Sequence, residues 1–508
     1  EDGYLGVWPD AQKLAGQTPE GHKTWDAWSH YHNLLGLHLW REATGNAQAG
    51  QVIDRAVACL YDFFITQGHK LDEDKDGTDA ALGHICAILY RETGDTRCLE
   101  LTQKTFATFE AVFGGDYYRA GLANTPFYKM NRTRWECLHA IQAIGQMHGI
   151  TGEESYKTSF LNIWEGIRRY DRHNTRGFSS GERACGNPYD LRAIETCCTI
   201  AWMALSEDAL ALSDDSRVAD ELELSTWNAL LGAQQANGRS FTYNTPMIGD
   251  RKASAHDIVF QAVAGSAELN CCSVNGPRGF GMIGEWGVTT RGEQITINYY
   301  GASEARVRTA AGHEVTLTQT GAYPFGDELR LTVTADAAYE GELRLRIPFW
   351  SRATRVLRGG KTVEGVEPGG YLLLSGVRDG EVIDLGLDRS LHYWQGNYEL
   401  GGKTALYLGP ILLACDQRFN EGQIDALPTL RLSELTVRPA GPADRLWPAP
   451  YLLVELRAPS GERITLCDFA SAGQTGTTYT TWLPTENELP VLRESSGESL
   501  WGQRLQTE

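Results

Sequence analysis

Apolar and polar positions follow two rhythms along this chain, and the change comes near residue 290. Before it, apolar residues recur at helical spacing. The run through Leu34, Leu35, Leu37 and Leu39 ends on Thr44-Gly45-Asn46, a helix stop. The same construction returns at Leu89-Tyr-Arg-Glu-Thr93-Gly94 and at His148-Gly-Ile-Thr151-Gly152, so the three Thr-Gly turns are spaced 49 and 58 residues apart. Ala209-Leu-Ala-Leu-Ser213-Asp214-Asp215 reads as a fourth, degenerate copy. A period near 50 with two helices per unit predicts stacked helical hairpins, either a closed α/α toroid or a linear solenoid.

After residue 290 the period falls to two. Gln294-Ile-Thr-Ile, His313-Glu-Val-Thr-Leu-Thr, Glu328-Leu-Arg-Leu-Thr-Val and Glu342-Leu-Arg-Leu-Arg-Ile alternate across Gly- and Asp-rich turns, as strands of an antiparallel sandwich do. A second strand-rich stretch, about 404–468, follows the Gly401-Gly402 break. The expected organisation is multidomain α plus β: a helical domain over 1–289, then β-sandwich modules over 290–395 and 396–508.

Composition narrows the partners. The 508 residues can bury large cores, and the formal charge of −19 opposes nucleic acid or an anionic membrane as the main partner. No apolar run approaches the ~18–20 residues of a membrane helix. The chain starts at Glu1 without a Met and shows no signal peptide. The eleven cysteines form no regular disulfide framework. Cys59, Cys86, Cys98 and Cys137 sit in apolar helical contexts as free thiols, which fits the cytoplasm; a periplasmic or secreted location is the alternative if an upstream signal was removed. Asp72-Glu-Asp-Lys-Asp-Gly-Thr-Asp matches only the front half of a calcium loop, because Gly83 stands where the twelfth-position Glu belongs.

The chemistry concentrates in two vicinal cysteine pairs, Cys197-Cys198 and Cys271-Cys272, with Glu195 just before the first. Adjacent cysteines are poor disulfide partners but good soft-metal ligands. The residues alone leave open a closed four-thiolate zinc staple, an iron–sulfur site, and a metal-bound thiolate that is also a nucleophile. Glu182, in the small-residue loop Gly177-Phe-Ser-Ser-Gly-Glu182, would supply the acid such a thiolate needs for double displacement at an acetal carbon, or is simply a solvated loop residue. His30 and His32 flank Tyr31 in the first hairpin and stand slightly above the prior of a packed histidine.

These residues resemble glycoside hydrolase family 127, the β-L-arabinofuranosidase-like enzymes. Glu195-Thr-Cys197 is similar to the family's Glu-Thr-Cys motif. Cys271-Cys272-Ser273-Val274-Asn275-Gly-Pro-Arg278 resembles its Cys-Cys-Pro-Pro-Asn-x-x-Arg motif, with Ser273 and Val274 in place of the prolines. Phe241-Thr-Tyr243-Asn-Thr-Pro246 and Glu223-Leu-Ser-Thr-Trp-Asn228 resemble further motifs, and Tyr323-Pro324, Arg346-Ile-Pro348 and Leu408-Gly-Pro410 agree with its β-domain signatures.

The resemblance implies an α/α toroid of the six-hairpin kind followed by two antiparallel β-sandwich modules; the family residues that precede the Asp2-Gly-Tyr-Leu segment have no counterpart here, which leaves open a fragment or a reduced toroid with an altered mouth. It implies Zn2+ held by Glu195, Cys197, Cys271 and Cys272, with Cys198 outside the ligand set. It further implies Cys271 as nucleophile, Glu182 as general acid/base, and His32, Glu223 and Tyr243 at the sugar. One family histidine position falls at Asp79 here, and a Gly-His-x-x-Arg helix start falls near Arg132-Thr133, which bears on which sugar is bound. The expected activity is a retaining exo-glycosidase on plant or algal oligosaccharides, with carbohydrate as its partner and neither nucleic acid nor membrane. The other readings are a carbohydrate-binding protein with a structural zinc, and a sugar lyase or isomerase on the same toroid. No oligomeric state follows from the sequence, a homodimer being one candidate.

Overall fold

Each Thr-Gly stop ends a helix, and does so by one local mechanism. In a computed structural model of the chain, Gly45, Gly94 and Gly152 take the left-handed conformation, at φ 68°, 70° and 73°. That conformation is cheap for glycine and lets the cap N–H turn back onto the last helical carbonyls, here Arg41, Tyr90 and His148. The threonine hydroxyls donate to the carbonyl four residues earlier (Trp40, Leu89, Met147) and accept from the N–H two residues later. In the degenerate fourth copy Asp214 takes the left-handed position at φ 54° and donates to Leu210 O.

The structure describes residues 2–71, 77–113, 116–179, 181–251, 271–420, 424–432, 436–439, 448–457, 461–486 and 492–493. The acidic run 72–76 lies outside these. The chain forms two compact units: 1–171 with 182–186 and 211–213, and 172–181 with 187–210 and 214–508. No helix among the described residues is long and apolar enough to cross a membrane.

The first unit carries α1 (Asp26–Thr44), α2 (Ala47–Tyr61), α3 (Leu82–Thr93), α4 (Thr96–Phe113), α5 (Tyr117–Leu122), α6 (Cys137–Thr151) and α7 (Glu154–Tyr170). Leu34, Leu60, Phe64, Leu82, Ile85 and Leu101 pack into one core, each side chain contributing ~1.5–3 kcal/mol of burial. Cys86, Cys98 and Cys137 are buried free thiols, as their apolar contexts predict, while Cys59 is half-buried.

The second unit opens its helical part with α8 (Thr196–Ser213, whose last three residues belong to the first unit) and α9 (Ser216–Leu224). Cys197 to Leu205 of α8 are buried without a break, so this helix has no polar face over that stretch. Strands then follow the predicted period of two. In Glu314–Gly321 the inward residues are Val315, Leu317 and Gln319; in Glu328–Ala335 they are Leu329, Leu331 and Val333. A six-stranded sheet containing both strands shares one core with a four-stranded sheet (Gly370–Val377, Gly341–Ile347, Gln294–Ile297, Val288–Arg291), and that shared core makes a sandwich. Farther along, eleven strands among the described residues, Ile248–Gly249 one of them, hydrogen-bond in a branched array.

Candidate functional site

The first cysteine motif is fastened by a short antiparallel pairing. Ile194 lies opposite Thr245, and Glu195 opposite Asn244. Thr196 then donates through its N–H to Tyr243 O (3.2 Å) and through its hydroxyl to Thr242 O (2.6 Å). This leaves Glu195 as the residue before α8 and Cys197 in its first turn, where free N–H groups and the helix dipole favour a thiolate.

The second motif begins the Cys271–Gly281 helix, so this pair also stands at a helix N-terminus. Two features hold that helix in place. A Cβ at Gly276 would meet the Phe241 ring at 2.5 Å, so only glycine allows this approach. Ser273, which replaces a family proline, accepts from Phe241 N–H at 3.1 Å.

The two helix starts bring four ligand atoms together. The sulfurs of Cys197, Cys271 and Cys272 lie 3.6–4.0 Å apart, and Glu195 Oε1 stands 4.0 Å from Cys271 Sγ and 3.8 Å from Cys272 Sγ. All four atoms fall within 4.8 Å of one another. Ligands at ~2.3 Å around a tetrahedral zinc would place sulfurs ~3.8 Å apart, so the donor set and spacing fit one such ion. An iron–sulfur cluster, which interposes its own core between ligand sulfurs, does not fit this spacing. Cys198 points to the other carboxylate oxygen, Glu195 Oε2, at 3.7 Å, and is not one of the four.

Burial separates the three thiols. Cys197 and Cys272 are buried; Cys271 is exposed. Hydrogen bonds from Cys197 and Cys272 hold the Cys271 thiol down at about 4. The same contacts raise Cys197, and burial raises Cys272. Of the three thiols, that of Cys271, the one exposed residue, is the one favoured as thiolate.

Glu182 lies in the first unit, in left-handed backbone at φ 69°, a conformation rare outside glycine. Its Oε2 is 2.9 Å from Arg134 Nη2. Arg134 also grips both oxygens of Glu136, at 2.6–3.2 Å. Burial pushes the Glu136 carboxyl above its ordinary range, against the pull of Arg134. Sequence reasoning passed over this pair; its only local signal was charged residues in the slot where the family's Gly-His-x-x-Arg was expected.

The expected sugar contacts differ in exposure. His32 is half-buried, edge-on to Trp28 at 4.4 Å between ring centroids and 5.9 Å from the ring of His139. Asp79 is buried and accepts from Trp28 N–H in the first turn of α1 (3.1 Å), a capping contact. His30 is fully buried and accepts from Leu5 N–H at 3.0 Å, a packing role. Tyr243 is buried and serves Thr196 through its carbonyl.

Glu223 has no exposed surface. It ion-pairs with Arg346 at 2.6 Å and accepts from the Tyr323 hydroxyl, while Arg346 also pairs with Asp220. The carboxylate is thus engaged in a network that ties α9 to the Gly341–Ile347 strand. Glu223 is followed by a π-helical stretch, Ser225–Leu230, from which Asn228 donates to Pro410 O and accepts from Leu412 N–H.

The family model described as beta-L-arabinofuranosidase, GH127 catalytic domain, matches residues 1–285, and the GH127 middle-domain model matches 294–389. The chain belongs to glycoside hydrolase family 127. A non-reducing end beta-L-arabinofuranosidase of Bifidobacterium longum subsp. longum is 24% identical over 475 residues, covering 83% of this chain and 70% of that one. Among solved structures, a GH127 beta-arabinofuranosidase aligns at TM-score 0.76 with 20% identity, over 96% of this chain and 82% of its own. A GH127 beta-L-arabinofuranosidase from Geobacillus stearothermophilus T6 aligns at 0.74 with 18% identity, over 96% and 84%. These likenesses show the fold: the family 127 α/α toroid followed by β-sandwich modules, rather than a linear solenoid. The chain is a glycoside hydrolase.

Proposed function

We propose that this family 127 chain is a retaining exo-glycosidase that removes a β-L-arabinofuranosyl unit from the non-reducing end of plant or algal oligosaccharides. The observation that carries the reading is the group of Glu195, Cys197, Cys271 and Cys272, in which Cys271 is the one exposed residue. A purely structural four-ligand staple gives no reason for that exposure. The relative's name, a non-reducing end beta-L-arabinofuranosidase, supports the sugar.

In this reading the Cys271 sulfur attacks the anomeric carbon while neutral Glu182 gives its proton to the departing glycosidic oxygen. The C–O bond breaks as the C–S bond forms. Glu182, now a carboxylate, takes a proton from water; the water oxygen attacks the same carbon, and the sulfur leaves with its electron pair. Two inversions restore the starting configuration. Glu195, Cys197, Cys271 and Cys272 would hold the zinc ion, which when bound keeps sulfur as thiolate near neutral pH. His32, half-buried beside Trp28, is assigned to the sugar. Asp79, Glu223 and Tyr243 are assigned to the sugar with it; Asp79 accepts from Trp28 N–H, Glu223 pairs with Arg346, and Tyr243 accepts from Thr196 N–H through its carbonyl.

The test is a panel of nitrophenyl furanosides and pyranosides, assayed before and after dialysis against a chelator, with NMR following the first-formed sugar. Chelator-sensitive release of β-L-arabinofuranose, retained at the anomeric carbon, is expected. Inverted product overturns the double displacement. Undiminished turnover by a chain shown to be metal-free overturns the zinc.

A further inference from the structure

The Glu182 loop does not stand alone. Arg134 and Arg183 form an antiparallel bridge, and Ala184 N–H donates to Thr133 O at 3.0 Å, so residues 182–184 are clasped to residues 132–136. Both sides of the clasp contain left-handed, non-glycine backbone, at Arg132 (φ 55°) and Glu182 (φ 69°). Such backbone persists only where its surroundings hold it, and it gathers at functional sites. The Tyr117 hydroxyl secures Arg132 by donating to its carbonyl at 2.7 Å.

The Arg134 side chain divides its contacts unequally. It makes a forked interaction with Glu136 through Nε and Nη2, and its Nη2 also lies 2.9 Å from Glu182 Oε2. A group that must carry a proton in one step and give it up in the next cannot sit against a whole, uncompensated positive charge, which would hold it ionised. Glu136 supplies the compensation: the forked pair is close to neutral, and Nη2 still gives Glu182 a fixed hydrogen-bond direction. Arg134 and Glu136 face Glu182 from the 132–136 segment, and Arg183 adjoins it on its own loop.

We propose that Arg134 is a positioning residue for Glu182, and that Glu136 balances its charge so that Glu182 can cycle between acid and base. The inference rests on Glu182 being the acid/base of the proposed reaction. It goes beyond that role by naming the two residues that govern it.

Leaving-group dependence tests it. A methyl glycoside needs its departing oxygen protonated, whereas a nitrophenyl glycoside hardly does, so a misplaced acid harms kcat/KM on the first far more than on the second. With methyl and nitrophenyl β-L-arabinofuranosides, Arg134→Gln is expected to lose ~10- to 100-fold on the methyl glycoside, at or below the ~10²–10⁴ scale of general acid–base catalysis, and only a few-fold on the nitrophenyl glycoside. Arg134→Lys should restore much of the loss. Glu136→Gln, which leaves the guanidinium charge to Glu182 alone, should move the alkaline limb of the kcat/KM profile to lower pH. Equal losses on both substrates, or none on either, overturn the proposal. Glu182→Gln run alongside separates the two failures. If it shows no leaving-group dependence, the acid/base reading falls and this inference with it. If it shows the dependence and Arg134→Gln does not, only the inference falls.

Discussion

The Glu195–Cys197–Cys271–Cys272 group and the Asp220–Glu223–Arg346 group lie in the same unit, and both crowd acidic side chains out of water. They differ in where the balancing charge comes from. Arg346, itself fully buried, supplies it to Asp220 and Glu223, and Tyr323 adds a hydroxyl donor. None of the four groups in the sulfur cluster can carry positive charge, and each is a metal-ligand type. One cluster is closed, with every member buried; the other keeps Cys271 exposed. A charge cluster that contains its own cation fastens elements together, whereas one built only of ligands is suited to hold an added cation and act on what reaches it.

Removing one atom from each cluster should break the comparison in opposite ways. Cys271→Ser exchanges the sulfur of the one exposed member for a poorer nucleophile and ligand. Turnover is expected to fall by ~10⁴-fold or more, the scale seen when a nucleophile is deleted, while far-UV circular dichroism stays that of the native fold. Activity within tenfold of the parent would remove Cys271 from the mechanism. Arg346→Met keeps volume and strips the cation, which leaves two buried carboxylates uncompensated. Here stability is what should fail, by ~3–5 kcal/mol in urea unfolding, the cost of breaking a buried pair from one side. A midpoint unchanged in that variant would mean that the network contributes no fastening.

Legibility in the sequence followed the range of the interaction. The Thr-Gly stops at Gly45, Gly94 and Gly152 were readable because a helix end needs a left-handed residue within a few positions, and Asp214 was readable as their weaker copy. Strand faces were readable because side chains alternate. The two cysteine motifs were readable as ligand candidates, and the ligand set followed from resemblance. Their meeting at 3.6–4.0 Å depends on the pairing of 194–195 with 244–245 and on the Gly276–Phe241 approach, which no local pattern encodes. Glu223 shows the limit most clearly: its motif is legible in the sequence, but its partner Arg346 lies on a strand far along the chain. The Arg134–Glu182 contact was missed for the same reason.

Acid should separate the two clusters by a smaller effect. Burial raises the Asp220 carboxyl from 3.8 to about 7, although Arg346 pulls it down. A folded-state value above the unfolded one means that the group's contribution to stability is full below about pH 4 and is lost as pH rises through about 7. Acidifying from pH 7.5 to 5 therefore does not weaken the Arg346 network through Asp220. The sulfur cluster behaves in the reverse sense, because thiolate ligands take up protons and release their metal as pH falls. Activity and bound zinc, measured after dialysis at each pH, are expected to fall together across this interval while the chain stays folded. Loss of activity that coincides with unfolding would sink this separation. Asp220→Asn sharpens it, since the amide cannot titrate: the loss of stability between pH 5 and 7.5 due to this group, ~2–3 kcal/mol from the linkage of a carboxyl raised to about 7, should disappear from a pH series of urea unfolding.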